Sequence, residues 1–245
     1  MQKLGIFLKL PFWDETSESA HAEVLRRARV GATPVHIVTV TAEMLLHACT
    51  ESAVAHAILE ADFFLADSLA VHVWLMSRGR PSKRITGIDF AELLVQRGGG
   101  SKIAIIGGFD DVTRAVAVEK IFGWGGHVVY SAGGPHIGNF LNFNPDFVDE
   151  KLVAARPDII FVAFGHGKQE WWIHHAKRRF NHGVIFIGVG GTIDVWGGLV
   201  TRAPTILQKM GLEWLWRLIQ EPKRFMRIWR AVIVFPCRAI IDALL

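Results

Sequence analysis

Short apolar runs rich in β-branched and aromatic residues alternate along this chain with longer amphipathic stretches. VHIVT (35–39), DFFLA (62–66), KIAIIG (102–107), HVVY (127–130), DIIFVAFG (158–165) and VIFIGVG (184–190) have the length and residue types of strands. Several are apolar throughout rather than alternating, as strands are when helices cover both faces of a sheet. The stretches 42–60, 69–77, 89–97, 110–122, 145–155 and 168–180 read as the intervening helices. Asp110 or Asp111 is placed to cap the fourth, and Pro145 falls where a first helical turn tolerates proline. The rhythm predicts an α/β fold with a Rossmann-like, mostly parallel sheet flanked by helices.

The strand pattern stops after Pro204. GLEWLWRLIQEPKRFMRIWRAVIVF (211–235) reads as one or two amphipathic helices divided near Pro222. The expected organisation is therefore an α/β core over 1–201 and a helical appendage over 202–245. A Gly-rich passage, GGPHIGNFLNFNP (133–145), reads as a surface loop near the carboxyl edge of the sheet, where such folds hold ligands.

Composition narrows the class. With 51% hydrophobic and 20% charged residues over 245 positions, the chain can bury a large core, which excludes disorder and coiled coil. Its two cysteines, Cys49 and Cys237, are far apart and form no C-x-x-C, so neither a disulfide framework nor a cysteine-only zinc site is expected, and the chain reads as intracellular. The opening MQKLGIFLKLPFWDE is too short and too charged for a secretory segment, and no uncharged run reaches bilayer length.

The overall charge of +4 is unevenly spread. Residues 202–245 carry eight Lys/Arg against three acids, a net +5, which leaves −1 for the first 201. A basic segment of this kind attracts phosphate or anionic lipid. Because it also carries Trp214, Trp216 and Trp229, it suits the headgroup zone of a membrane. The alternative is a helix whose tryptophans pack on the core while its arginines are simply solvated. Nucleic acid is not an expected partner, since the aromatics fall on an apolar face rather than along a groove.

Three of the strands run into glycine: Gly107-Gly108, Gly165-His166-Gly167 and Gly188-Val189-Gly190-Gly191. Such turns bring backbone amides close to a phosphate, although any parallel α/β fold also needs tight turns. None matches G-x-G-x-x-G or the P-loop pattern, which weakens a nicotinamide-dependent oxidoreductase reading. Asp67 follows an apolar strand and reads either as a general base at the sheet edge or as a helix N-cap. Arg84, Thr86 and Asp89 in RITGID form a polar cluster, with a cap and salt bridge as its alternative role. There is no D-x-D triplet, the eleven histidines are scattered, and no metal or other cofactor is expected.

Together these segments resemble the WecG/TagA/CpsF family of bacterial glycosyltransferases from about Val35 to Arg230. The most specific part is IGVGGTIDVWGGLVTRAPTILQKMGLEWLWRLIQEPKRFMRIWR (187–230), similar to the family's G-x-G-G-x-x-D…G…R-A-P…G-L-E-W-x-x-R-L…E-P-x-R-x-x-R signature. GHGKQEWW (165–172) resembles its G-x-P-K-Q-E block, and RITGID (84–89) its R-x-T-G-x-D block. IVTVTAE (37–43) and LADS (65–68) resemble T-x-N-A-E and the Asp-Gly that carries the catalytic aspartate.

The resemblance implies a metal-independent inverting transferase that moves sugar from a UDP-sugar donor to a polyprenyl-diphosphate-linked sugar, in teichoic acid or other cell-surface polysaccharide synthesis. By position, Asp67 would be the base, and Thr39, Thr41 and Arg84 would line the sugar site. Gly165, Gln169, Glu170, Gly190, Gly191 and Asp194 would hold the nucleotide. Arg217, Arg224 and Arg227 would meet the acceptor diphosphate, and the basic helices would dock a cytoplasmic enzyme on the inner face of the cell membrane. Three positions depart from the pattern: Thr41 stands for Asn, Ser68 for Gly and Gly167 for Pro. They bear on donor specificity and loop stiffness, and they motivate a second reading as a catalytically silent UDP-sugar-binding protein of the same peripheral location. An apolar appendage can also be covered by a neighbouring copy, so a homo-oligomer is the alternative to lipid contact.

Overall fold

Six strands, β1 (Val35–Val40), β2 (Phe63–Ala66), β3 (Lys102–Gly107), β4 (His127–Ala132), β5 (Ile159–Ala163) and β6 (Ile185–Gly188), form one parallel sheet in the order β2-β1-β6-β5-β3-β4. They belong to a computed structural model that describes residues 3–134 and 148–244. All six strands read from the sequence are present. The central ones lack polar alternation because both of their faces are covered: in β1, Val35 and Ile37 enter one apolar cluster while Val38 and Val40 enter the opposite one. Each such side chain, withdrawn from water, is worth roughly 1.5–3 kcal/mol.

On one face lie α1 (Ser17–Gly31), α5 (Gly87–Gln96), α6 (Asp111–Gly123) and α9 (Thr192–Trp196). On the other lie α2 (Ala42–Ala48), α3 (Ser52–Leu59), α4 (Leu69–Ser77), α7 (Glu150–Ala154) and α8 (Lys168–Ala176). Asp110 caps α6 through the Thr113 amide, as its position suggests. The expected helix over 42–60 is two helices, because Thr50 hydroxyl closes the chain on His47 O and Glu51 is extended before α3 starts. Helix α1 has no counterpart in the sequence reading. Its buried stripe is mostly small, Ala20, Val24 and Ala28, amid charged residues. Pro145 and most of the Gly-rich loop lie outside the described residues.

The C-terminal stretch is helical: α10 (Thr205–Lys209), α11 (Glu213–Gln220), α12 (Phe225–Trp229), a π-helical segment over Arg230–Val234, and α13 (Phe235–Leu244). The break falls at Glu221-Pro222, where Pro222 opens a short 3-10 turn. Phe235 is buried against Trp74 of α4, and Asp242 accepts the Leu4 amide, so the segment closes back onto the core. Among the described residues no helix is long and apolar enough to cross a membrane.

Candidate active site

Helices α2 and α3, which follow β1, pack on one face of the sheet, whereas α9, which follows β6, packs on the other. The divergence opens a crevice beyond the carboxyl ends of these neighbouring strands, the usual ligand site of parallel α/β sheets. Helices α11 and α12 cover it, leaving a cavity of about 340 Å³.

Asp67 stands directly after β2. Because Val40 and Ala66 are in register, Asp67 lies beside Thr41, and its amide donates to Val40 O at 3.1 Å. It does not cap α4. Ser68 does so, its hydroxyl accepting from the amides of Val71 and Ala42 and thereby tying the starts of α4 and α2. This leaves the Asp67 carboxylate for the cavity. Burial pushes that carboxyl up to about 7; the Gly87 amide and Arg84 pull it back, while Glu213 and Asp89 push further up.

Thr39 and Thr41 also line the cavity, but both hydroxyls are engaged: Thr39 donates to Gly188 O at 3.2 Å, and Thr41 caps α2 through the Met44 amide. Thr86 caps α5 and donates to Asp89 at 2.5 Å, and Asp89 pairs with Arg202. The cap-and-salt-bridge role of Thr86 and Asp89 is therefore the one observed.

The turns after β5 and β6 are joined by buried polar side chains. Gln169 Oε1 accepts from the Gly190 amide at 3.1 Å, and its Nε2 donates to Glu170 at 2.8 Å. Glu170 Oε2 in turn accepts from the Gly167 amide at 2.6 Å. Burial pushes the Glu170 carboxyl up to about 7 against these hydrogen bonds. Gly167 has φ +83°, a conformation that proline cannot adopt. Gly188 permits a close approach, since an added Cβ would stand 2.4 Å from Gln169 Nε2.

Arg217, Arg224 and Arg227 converge on the cavity from the C-terminal helices. Glu221 lies between Arg217 and Arg224, and Arg227 forms a fork on Glu43 with contacts of 2.8 and 3.2 Å. Burial and the adjacent Arg224 hold the Arg217 guanidinium below its ordinary range.

A family model described as the glycosyl transferase WecG/TagA/CpsF family matches residues 6–245, nearly the whole chain. The chain belongs to this family.

As a WecG/TagA/CpsF glycosyltransferase it acts between a sugar donor and an acceptor. Of the residues singled out by sequence, Asp67, Thr39, Thr41, Gln169, Gly190, Gly191, Arg217, Arg224 and Arg227 line one cavity. Arg84, Gly165, Glu170 and Asp194 are not on its lining. Arg84 is turned toward backbone and appendage, and Glu170 is buried behind Gln169. Asp194 accepts from the Phe109 amide, with its carboxyl pushed up by burial.

Trp214, read from the sequence as a headgroup contact, lines the cavity, as do Glu43, His166, Arg202 and Glu213, to which the sequence alone gives no place in the site. Glu43, Arg202 and the Glu213-Trp214 pair stand inside quoted motifs, so a signal for them was present. His166 occupies a variable position of its motif. Burial pushes its imidazole down to about 4, with Arg227 and Arg224 adding to the effect against Glu43, so it is neutral at pH 7. Burial pushes the Glu43 carboxyl up, but Arg227 and His166 outweigh this and leave it below the usual carboxylate range. Among the described residues no group of three or more His, Cys, Asp or Glu could hold a metal ion.

Proposed function

We propose that this glycosyltransferase is an inverting, metal-independent enzyme of cell-surface polysaccharide or teichoic acid synthesis. It moves a hexosyl or N-acetylhexosaminyl group from a UDP-sugar to a polyprenyl-diphosphate-linked sugar. One observation carries the reading: a carboxyl group poised near 7, Asp67, shares a cavity with a glycine turn and three arginines from the C-terminal helices. A base with that affinity for protons suits abstraction from a sugar hydroxyl at neutral pH.

In the proposed step Asp67 takes the proton of the acceptor hydroxyl as its oxygen attacks the donor's anomeric carbon. The bond from that carbon to the diphosphate breaks on the opposite side, its electron pair leaves with UDP, and the configuration inverts. The turn at Gly190-Gly191, held by Gln169, is assigned to the nucleotide. The positive charge that Arg217, Arg224 and Arg227 bring to this cavity also acts on the charge that develops on the leaving UDP, a preorganised arrangement that asks for no metal. Arg217, Arg224 and Arg227 are assigned to the acceptor diphosphate, while Glu170 and Asp194 support the nucleotide side from behind the lining.

The division into a core over 1–201 and an acceptor- and membrane-contacting appendage over 202–245 belongs to the same proposal. Support comes from exposed apolar residues interspersed with cations: Ile219, Phe225, Met226 and Trp229 accompany Lys223 and Arg230. Such a surface suits an anionic headgroup layer on the inner membrane face.

The test is UDP release from a panel of UDP-hexoses, UDP-N-acetylhexosamines and UDP-uronic acids, with and without a short-chain polyprenyl-diphosphate-GlcNAc acceptor, in EDTA. Acceptor-dependent release from one donor is the expected result. UDP binding without release from any donor would favour a silent binding protein, and binding of NAD in place of UDP would refute both.

A further inference from the structure

Arg84 stands at a junction. It pairs with Ala66 in a short parallel bridge beside β2, and the next amide, Ile85, donates to Ala66 O at 3.0 Å. All three of its guanidinium nitrogens have partners. Nε donates to the main-chain oxygen of Asp67 at 3.1 Å, Nη1 to the main-chain oxygen of Gln208 at 3.1 Å, and Nη2 to the Glu213 carboxylate at 2.6 Å. One edge of the guanidinium thus holds the residue proposed as base, and the other holds the C-terminal helices more than 120 positions away in sequence.

The same segment touches the Asp67 side chain. Gly87 packs so closely on it that an added Cβ would stand 3.3 Å from Asp67 Oδ2 and 3.2 Å from Thr39. Behind this segment, Thr86 is tied to Asp89 and Asp89 to Arg202, at the start of the appendage. Segment 84–89 therefore holds the Asp67 backbone through Arg84 and packs on its side chain through Gly87, while its outer contacts go to residues 202, 208 and 213.

We propose that Glu213 and Arg84 are positioning residues that form a strut, through which the seating of the C-terminal helices aligns the Asp67 carboxylate for catalysis. Planar, multidentate arginine is suited to such a part, because its donors fix three acceptors in one orientation. Glu213 also lines the cavity, so its charge acts on Asp67 as well as on Arg84. The charged groups acting on Asp67 are then Glu213 from α11, Asp89 from α5 and Arg84 from the bridge. Helices withdrawn from the core would remove the first of these and loosen the last. Turnover without the appendage seated would then be slow, even with donor bound. The inference rests on Asp67 being the base, as proposed above.

Glu213→Gln keeps an oxygen for Arg84 but removes the charge, whereas Glu213→Ala removes both. In the full-length protein, Glu213→Gln is expected to shift the acidic limb of the kcat profile to lower pH by about one unit. It should keep hydrogen-exchange protection over 205–220 near wild type. Glu213→Ala is expected to lose that protection and to lower kcat on the order of tenfold, with little change in donor KM. Arg84→Lys should lower kcat as Glu213→Ala does, since an ammonium cannot reproduce the three-way fork.

Exchange measurements need no substrate, so they test the strut even if the assignment of the base fails. Asp67→Asn turning over normally would overturn the base and with it the pH argument. Asp67→Asn inactive, with Glu213→Ala unchanged in kcat, pH profile and exchange, would overturn the strut alone. A fall in Tm for Glu213→Ala without movement of the pH limb in Glu213→Gln would also overturn it, by reducing Glu213 to a structural contact.

Discussion

Replacing Asp67 by Asn should make the protein both inactive and more stable. Burial pushes the native carboxyl from 3.8 to about 7, so the native state resists ionising a group that ionises freely when unfolded. A raised native pKa means that the contribution is fully favourable only below the unfolded value and is lost as pH climbs through the native one. A shift of about three units corresponds to roughly 4 kcal/mol of penalty once both states are ionised. At pH 5.5 the native group is mostly protonated, and the penalty is roughly 2 kcal/mol; at pH 8 it approaches the full amount. Asparagine keeps the shape and carries no charge, so it should remove the penalty. The midpoint of urea unfolding should rise for Asp67→Asn, and its stability gain over wild type should grow by roughly 2 kcal/mol between pH 5.5 and pH 8. Because both proteins share every other titrating group, the difference isolates Asp67. Loss of the base should cost about 10²–10⁴ in turnover, read as UDP release. A gain in stability independent of pH would refute the buried-carboxylate argument, and wild-type turnover by the variant would refute the role as base.

Three other outcomes are expected. Gly188→Ala should displace Gln169 from the Gly190 amide, because the new methyl would stand 2.4 Å from Gln169 Nε2; titration with UDP should show affinity reduced on the order of tenfold, and equal affinity would count against this turn as the nucleotide support. His36 is wholly buried with both ring nitrogens unpartnered, and burial holds it well below its ordinary pKa, while His174 is pushed down to about 4. Both must stay neutral in the native state, so stability should be lost as pH falls from about 6.5 toward 4, and His36→Leu should lose less than wild type over pH 7 to 5 by urea unfolding. Deleting residues from 203 onward should weaken sedimentation with vesicles containing phosphatidylglycerol and abolish transfer to a lipid-linked acceptor; equal vesicle binding would exclude this segment as the membrane contact.

Periodicity along the chain was sufficient for the six strands, the parallel sheet and the division of the C-terminal helices at Pro222, because each depends on local residue type repeated over a few positions. It was not sufficient for α1, whose buried face is built of two alanines, a valine and His21 among charges and acquires meaning only when the sheet is there to receive it. The glycine turns, Asp67, Gln169 and the arginines were legible because their spacing is held within short motifs. Their functions were not equally legible. Asp67 reads from sequence either as a base or as the N-cap of α4, and only the fold shows that Ser68 takes the cap and leaves the carboxylate for the cavity. Likewise, the family resemblance puts Arg84 at the sugar site, and only the fold shows that its three partners lie at 67, 208 and 213. Sequence alone determined which chemical groups this protein has and in what local order. Tertiary structure decided which of them meet, because a parallel sheet brings the ends of distant strands to one edge, and there burial raises Asp67 and Glu170 to about 7 while returning helices pair their charges with the core.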